Sequence, residues 1–216
     1  MAIWPTRIDH SDYDKADFLD DIESLRPKPE KDCLLIVGDA TGVWDDVEEF
    51  FKFGIPHDTM LINHVATVWP WPFEHFVAGD SHMIPMQDIA KGLSSTVIKH
   101  CWNPTSEGFD IRWIRGSGGW QGTTANLAVK IGIALDYLKM VLAGIPMDFS
   151  GHWYNDALPE DDVKRSSDHR AHLQKWIELA NRPVARFIRS MSGNTAELFG
   201  KPTKEWLTPY PEVNRG

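Results

Sequence analysis

Two periodicities alternate along this chain and set its elements. Cys33 to Val37 are apolar at five consecutive positions, the pattern of a strand covered on both faces. The turn Gly38-Asp39-Ala40-Thr41-Gly42 follows, after which Val43, Trp44, Val47, Phe50 and Phe51 recur at helical spacing. A second strand is predicted over 59–63, ending on Asn63. Behind it Trp69-Pro70-Trp71-Pro72 cannot be regular, because each proline lacks a backbone N–H. The run from His75 is closed by Gly79, Asp80 and Ser81 and leads into a helix over 85–92. Strands are predicted over 95–102 and 109–116, a helix over 123–138 and a strand over 139–144. A last unit comprises a helix over 161–181, a strand over 184–190 and a short helix over 195–200.

Strands that alternate with helices, several of them unbroken apolar runs, define an α/β fold: one domain with a mainly parallel sheet and helices on both faces. The length of 216 residues suits a single core. Residues 1–31, polar and punctuated by prolines, read as an N-terminal arm, 32–207 as the domain and 208–216 as a tail. In such sheets ligands bind beyond the carboxyl ends of the strands. The residues to watch are therefore those that follow each strand.

Charge narrows the choice of ligand. There are 22 Lys and Arg against 31 Asp and Glu, a formal charge of -9, which argues against a general nucleic-acid binder because such proteins display a basic surface. Cys33 and Cys101, the two cysteines, each sit in an apolar run and read as reduced, buried thiols. No apolar run reaches the ~18 residues of a membrane span. A cytoplasmic protein without a membrane partner is expected.

The most informative stretch is Gly-Ser-Gly-Gly-Trp-Gln-Gly-Thr-Thr, 116–124, ahead of the helix over 123–138. Small residues let the backbone approach a ligand, Thr123 or Thr124 can cap the helix, and the free N–H groups and dipole at its start favour a phosphate. Without a ligand the same stretch is a glycine-rich connection with a threonine cap. A bulky acid at Gly122 is expected to repel the phosphate at no cost in stability. The chain lacks G-x-x-x-x-G-K-[ST] and lacks a complete G-x-G-x-x-G after the first strand, which argues against P-loop NTPases and ordinary NAD enzymes. His75, Asp80 and His82, and likewise Asp148 and His152, lack the spacing of a structural zinc site, so no metal ligands are assigned.

Taken together, Leu34 to Asp46, Leu61-Ile62-Asn63-His64, Ala78 to His82 and Gly122 to Asp148 resemble a Rossmann-like family of phage-encoded proteins. That family is related to archaeal pterin pyrophosphokinase-like proteins and, distantly, to bacterial sialyltransferases that use CMP-sialic acid. The tail from Arg189 to Leu207 is similar to that of the phage members. The resemblance implies a single Rossmann-like domain that binds a nucleotide or a nucleotide-sugar of CMP or UDP type, with Gly38, Asp39, Thr41, Asn63, Asp80, Ser81, Gly122, Thr123, Thr124 and Asp148 at the nucleotide. Two departures stand out. The first loop carries Asp39, repulsive to phosphate unless a metal or ribose hydroxyl meets it, and the acid after the late strand is displaced to Asp148.

The resemblance further implies a glycosyltransferase-like enzyme with a histidine general base. His169 or His172 is the candidate, with His152 a rival and Tyr154 a holder of the donor phosphate; imidazole suits deprotonation of an acceptor hydroxyl because it titrates near neutrality. His169, His172 and Trp176 also form one helical stripe that could simply pack. Two alternatives stay open. One is a pyrophosphokinase-like enzyme using Mg-ATP, with Asp39, Asp80 and Asp148 as metal-site candidates. The other is a non-catalytic phage scaffold or host-factor-binding protein, in the cytoplasm of a bacterial host. The acceptor and the oligomeric state are left open.

Overall fold

A computed structural model describes residues 31–102, 106–113, 122–148, 151 and 162–208, with 162–169 described by backbone alone. In chain order the elements are β1 (Cys33–Val37), α1 (Val43–Phe51), β2 (Asp58–Ile62), β3 (His75–Ala78), α2 (Ile84–Gly92), β4 (Ile98–Cys101), β5 (Ile111–Arg112), α3 (Thr124–Ala134), β6 (Lys139–Ala143), α4 (Asp162–Ala180), β7 (Ile188–Ser190), α5 (Gly193–Phe199) and α6 (Lys204–Leu207). Single 3-10 turns cover Asn63–Thr67 and Pro183–Phe187.

The seven strands form one all-parallel sheet in the order β5-β4-β3-β2-β1-β6-β7. This is the single Rossmann-like α/β domain expected from the alternation of elements. The chain builds from β1 outward to β5, then returns through α3 to lay β6 against the free side of β1. Parallel crossovers are right-handed, so reversing the direction of travel also changes the face on which the helices pack. α3 and α4 accordingly cover the face of Leu34, Ile36, Met60 and Leu142. The face of Leu35, Val37, Leu61 and Val141 packs against α1 and α2. Both cysteines are buried thiols on the latter face, and burial pushes that of Cys33 up to about 12.

Several predicted elements come out shorter: the strand expected over 95–102 is only Ile98–Cys101, and the one expected over 109–116 only Ile111–Arg112 among the described residues; two further cases have a clear local cause. The helix expected over 123–138 stops at Ala134 because Asp136 turns left-handed at φ 66. There Tyr137 N–H bonds Gly132 O and Asp136 N–H bonds Ile133 O, the Schellman pattern with aspartate where glycine is usual. The strand expected over 184–190 is a 3-10 turn up to Phe187, initiated by Pro183, and pairs with β6 only over Ile188–Ser190.

The early helix stop serves a buried polar chain that runs across the sheet from the carboxyl end of β5 to the amino ends of β3 and β2. Trp113 Nε1–H donates to His100 Nδ1 (3.2 Å), His100 Nε2 meets His75 Nδ1 (3.2 Å), His75 Nε2 meets the Tyr137 hydroxyl (3.0 Å), and that hydroxyl donates to Asp58 Oδ2 (2.8 Å). Lys31 closes the chain on Asp58 Oδ1 at 2.8 Å. Indole can only donate and carboxylate only accept, so every proton must point toward Asp58. Both imidazoles are thereby fixed as neutral Nε2–H tautomers. An added proton on either ring would set two donors face to face. Burial lowers His75 to about 4, against the attraction of Asp58, and burial plus the adjacent His75 holds His100 well below its ordinary range.

A pH dependence follows. Unfolded histidine titrates near 6.5, so below about pH 6.5 the unfolded chain binds protons that the folded chain refuses, down to about pH 4 for His75. Stability should fall with falling pH across that window, by up to ~1.4 kcal/mol per pH unit for each histidine. Urea unfolding at pH 7, 6 and 5 measures the slope, and His75→Gln should make it shallower by about one histidine's share; an unchanged slope would contradict the chain.

Candidate functional site

β1 and β6 lie side by side, but the chain leaves them in opposite directions across the sheet, which opens a crevice at their carboxyl ends. A cleft of about 280 Å³ occupies it, at the low end of small-molecule pockets, which start near roughly 300 Å³. It is lined by Gly38, Asp39 and Ala40 after β1, Ile62 and Asn63 after β2, Thr123 to Ala125 at the start of α3, Gly144 to Asp148 after β6, and Gly151.

Glycines create this geometry. A Cβ on Gly38 would lie 2.6 Å from Gly144 O, and one on Gly144 would lie 2.6 Å from Val43 Cβ. Gly144 is also left-handed at φ 63, a conformation glycine adopts at no steric cost. The close approach lets Gly38 N–H bond Ala143 O at 2.8 Å and Ala40 N–H bond Gly144 O at 3.2 Å. Gly79, at the end of β3, similarly admits the Thr124 hydroxyl where a side chain would collide with it. The α3 N-terminus is thus drawn down onto the strand ends.

Thr123 holds the N-cap position of α3, and its N–H donates to Asn126 Oδ1 at 3.0 Å. Thr124 and Ala125, the first residues of the helix, have amides with no carbonyl to bond inside it. At the opposite lip stand Asp39 and Asp148. Asn63 is left-handed at φ 52, and its Oδ1 is buried without a hydrogen-bond partner. Three buried side-chain polar atoms among the described residues lack a partner, and Asn63 Oδ1 is the one that belongs to a cleft residue.

Of the residues expected from sequence, Gly38, Asp39, Asn63, Thr123, Thr124 and Asp148 converge on the cleft. The structure does not bring four others into its lining. Thr41 is exposed and ties the first loop to Gly151, its N–H bonding Gly151 O at 3.1 Å. Ser81 is fully buried with its hydroxyl 2.8 Å from that of Ser106, Asp80 is exposed beside it, and Gly122 packs on the Asn126 side chain. The Gly122 contact corrects an expectation: any side chain there would strike the Asn126 carboxamide that holds Thr123, so a substitution costs stability as well as charge. His152 and Tyr154 lie outside the described residues, as does the His169 side chain. His172 is half-buried on α4, and Trp176, on the same stripe, is fully buried against Phe199.

Sequence reasoning missed Asp46. This α1 residue is 6 % exposed, and its Oδ2 accepts from Gly144 N–H at 2.8 Å and from the Ser192 hydroxyl at 2.7 Å. Burial raises its carboxyl above the ordinary range in spite of the two donated bonds. The signal in the sequence is an acid on the apolar stripe between Val43, Val47 and Phe50. No family model, curated protein or solved structure matches this chain, so the functional reading rests on the chemistry of the cleft.

Asp46→Ala strands the buried Gly144 N–H and should destabilise the fold by about 2 kcal/mol, with Asp46→Asn intermediate because it keeps one acceptor. Denaturant unfolding of the two variants checks this ordering.

Proposed function

We propose that the cleft binds a mononucleotide and that the protein is a nucleotide-dependent transferase, glycosyltransferase-like, with a nucleotide-sugar donor of CMP or UDP type. The observation that carries the nucleotide reading is the polarity of the cleft from lip to lip. The amides of Thr124 and Ala125 at a helix start favour an anion, whereas Asp39 and Asp148 on the other lip repel one and accept from hydroxyls. A phosphate joined to a ribose answers both ends at once. The open Oδ1 of Asn63 supplies a further acceptor for a hydroxyl or an exocyclic amine. The volume suits one nucleotide moiety rather than a dinucleotide. The transfer step, with a histidine from the 152–172 stretch as base toward an acceptor hydroxyl, rests on the family resemblance. Gly151 borders the cleft immediately before that stretch.

A pyrophosphokinase-like reaction of Mg-ATP is the second reading, favoured by two carboxylates that line the same cleft as the anion-favouring amides of α3. It loses its third acid, since Asp80 does not line the cleft. Among the described residues no group of three His, Cys, Asp or Glu is placed to hold a metal on its own, so magnesium would arrive with the nucleotide.

Thermal-shift titration with CMP, UDP, ADP and GDP, with and without magnesium, tests both readings. Saturation at about a hundredfold over Kd should add ~2.7 kcal/mol of stability. Thr124→Pro keeps the helix, because proline is accepted at the first helical position, but deletes an anion-facing amide; affinity should drop about tenfold for one charge-assisted bond. Asn63→Asp preserves shape and tolerates the left-handed backbone, and its added charge should weaken binding further. Magnesium-independent CMP or UDP binding supports the transferase, magnesium-dependent ADP binding the pyrophosphokinase, and a flat wild-type response to all four overturns both in favour of a scaffold.

A further inference from the structure

The loop after β6 is held from one side by a single turn far along the chain. Thr195 Oγ1–H donates to Ile145 O at 2.6 Å, Thr195 N–H to Pro146 O at 3.3 Å, and Asn194 Nδ2–H to Met147 O at 2.6 Å. Three consecutive carbonyls are thus taken up in register by two consecutive residues. Gly193, left-handed at φ 65, presses against Pro146 so closely that any Cβ would collide with it. Ser192 reaches the same loop through Asp46, which holds Gly144 N–H.

The loop needs holding because it is strained. Met147 sits at φ 51, a region unfavourable to an unbranched L-residue by ~1–2 kcal/mol, and such outliers persist only where their surroundings over-determine them. The next residue, Asp148, lines the cleft. A relaxed Met147 would redirect the chain at the point where Asp148 leaves it.

We propose that Asn194, seconded by Thr195, is a positioning residue that keeps Met147 left-handed and so presents Asp148 to the cleft. The ligand-binding part of this role rests on the mononucleotide reading above; the conformational part does not. Asn194 does not itself line the cleft and acts on it through the carbonyl of Met147, which does.

Two readouts separate the parts. Asn194→Ala, a truncation of a half-buried side chain, should weaken nucleotide binding about tenfold, the value of one short hydrogen bond, in the panel of CMP, UDP, ADP and GDP, with little change in melting temperature. The double variant Asn194→Ala with Met147→Gly should recover most of the affinity, since glycine takes φ near +50 without a clamp. A merely structural role would give lowered melting with no such rescue. Independently of any nucleotide, hydrogen exchange at the Thr195 amide, which bonds Pro146 O, should speed up about tenfold in Asn194→Ala while the amides of β1 and β6 are unchanged. Wild-type affinity in Asn194→Ala, or failure of glycine to rescue it, overturns the proposal. Should wild type bind none of the four nucleotides, the mononucleotide reading falls, and the exchange experiment decides the clamp: unchanged exchange at Thr195 overturns it and faster exchange supports it.

Discussion

Everything at the carboxyl edge of this sheet depends on how closely the backbones of β1 and β6 approach just beyond their last paired residues. Gly38 and Gly144 have no room for a Cβ, the one against the other's carbonyl and the other against Val43. The parallel ladder therefore runs one step further, through Gly38 N–H to Ala143 O, before the chains part. Had either position carried a side chain, the strands would separate earlier and the floor of the cleft would be lost. Because the contact is between main chains, it fixes the directions in which Asp39 and Asp148 leave the sheet. The side chains inherit their geometry from it.

Buried polar groups away from the cleft and beside it are treated in opposite ways. Away from it Trp113, His100, His75, Tyr137 and Asp58 bond in one direction, and Lys139 Nζ donates to the Leu207 (2.9 Å) and Thr208 (2.6 Å) carbonyls at the end of α6. At the carboxyl edge Asn63 Oδ1 has no partner, and the first amides of α3 have none within their helix. Leaving a buried acceptor unmet costs about 1–3 kcal/mol. Among the described residues, the unmet acceptor that belongs to a cleft residue and the helix-start amides thus lie together at the carboxyl ends of the strands.

The sheet was legible because its strands are covered on both faces, so Cys33 to Val37 and Met140 to Ala143 appear as unbroken apolar runs, and because Gly and Asp punctuate their ends. In the structure the runs at 33–37, 58–62 and 139–143 are neighbours in one sheet, with β1 between β2 and β6. The end of α3 was not legible, since Leu135 to Leu138 continue the apolar pattern while the stop is made by a left-handed Asp136, an aspartate in the role sequence readers assign to glycine. The cleft was half legible. Residues that face it from strand ends, such as Asn63 and Thr124, are named by position alone. Asp80 and Ser81 share that position but follow β3, two strands from the switch point, and the strand order that removes them is not written in any local pattern. Asp46 and Asn194 act on the β6 loop across 98 and, for Asn194 to Met147, 47 positions of chain, a range at which no periodicity speaks.

On the proposed mononucleotide reading, electrostatics bears on which ligand suits this edge. The protein carries -9 overall, and Asp39 and Asp148 line the same cleft as the start of α3, so a free phosphate drawn to the α3 amides would meet an opposing field across the cleft. A ligand carrying its anion at one end only escapes that conflict, and one bearing hydroxyls at its other end turns the carboxylates from repellers into acceptors. The same argument penalises polyphosphates in proportion to their length unless a divalent cation comes with them. On the mononucleotide reading, the carboxylates of Asp39 and Asp148 weigh against longer phosphate chains and for a monophosphate-linked donor of CMP type over a diphosphate one, and the β6 loop that carries Asp148 would bear on the chain length accepted.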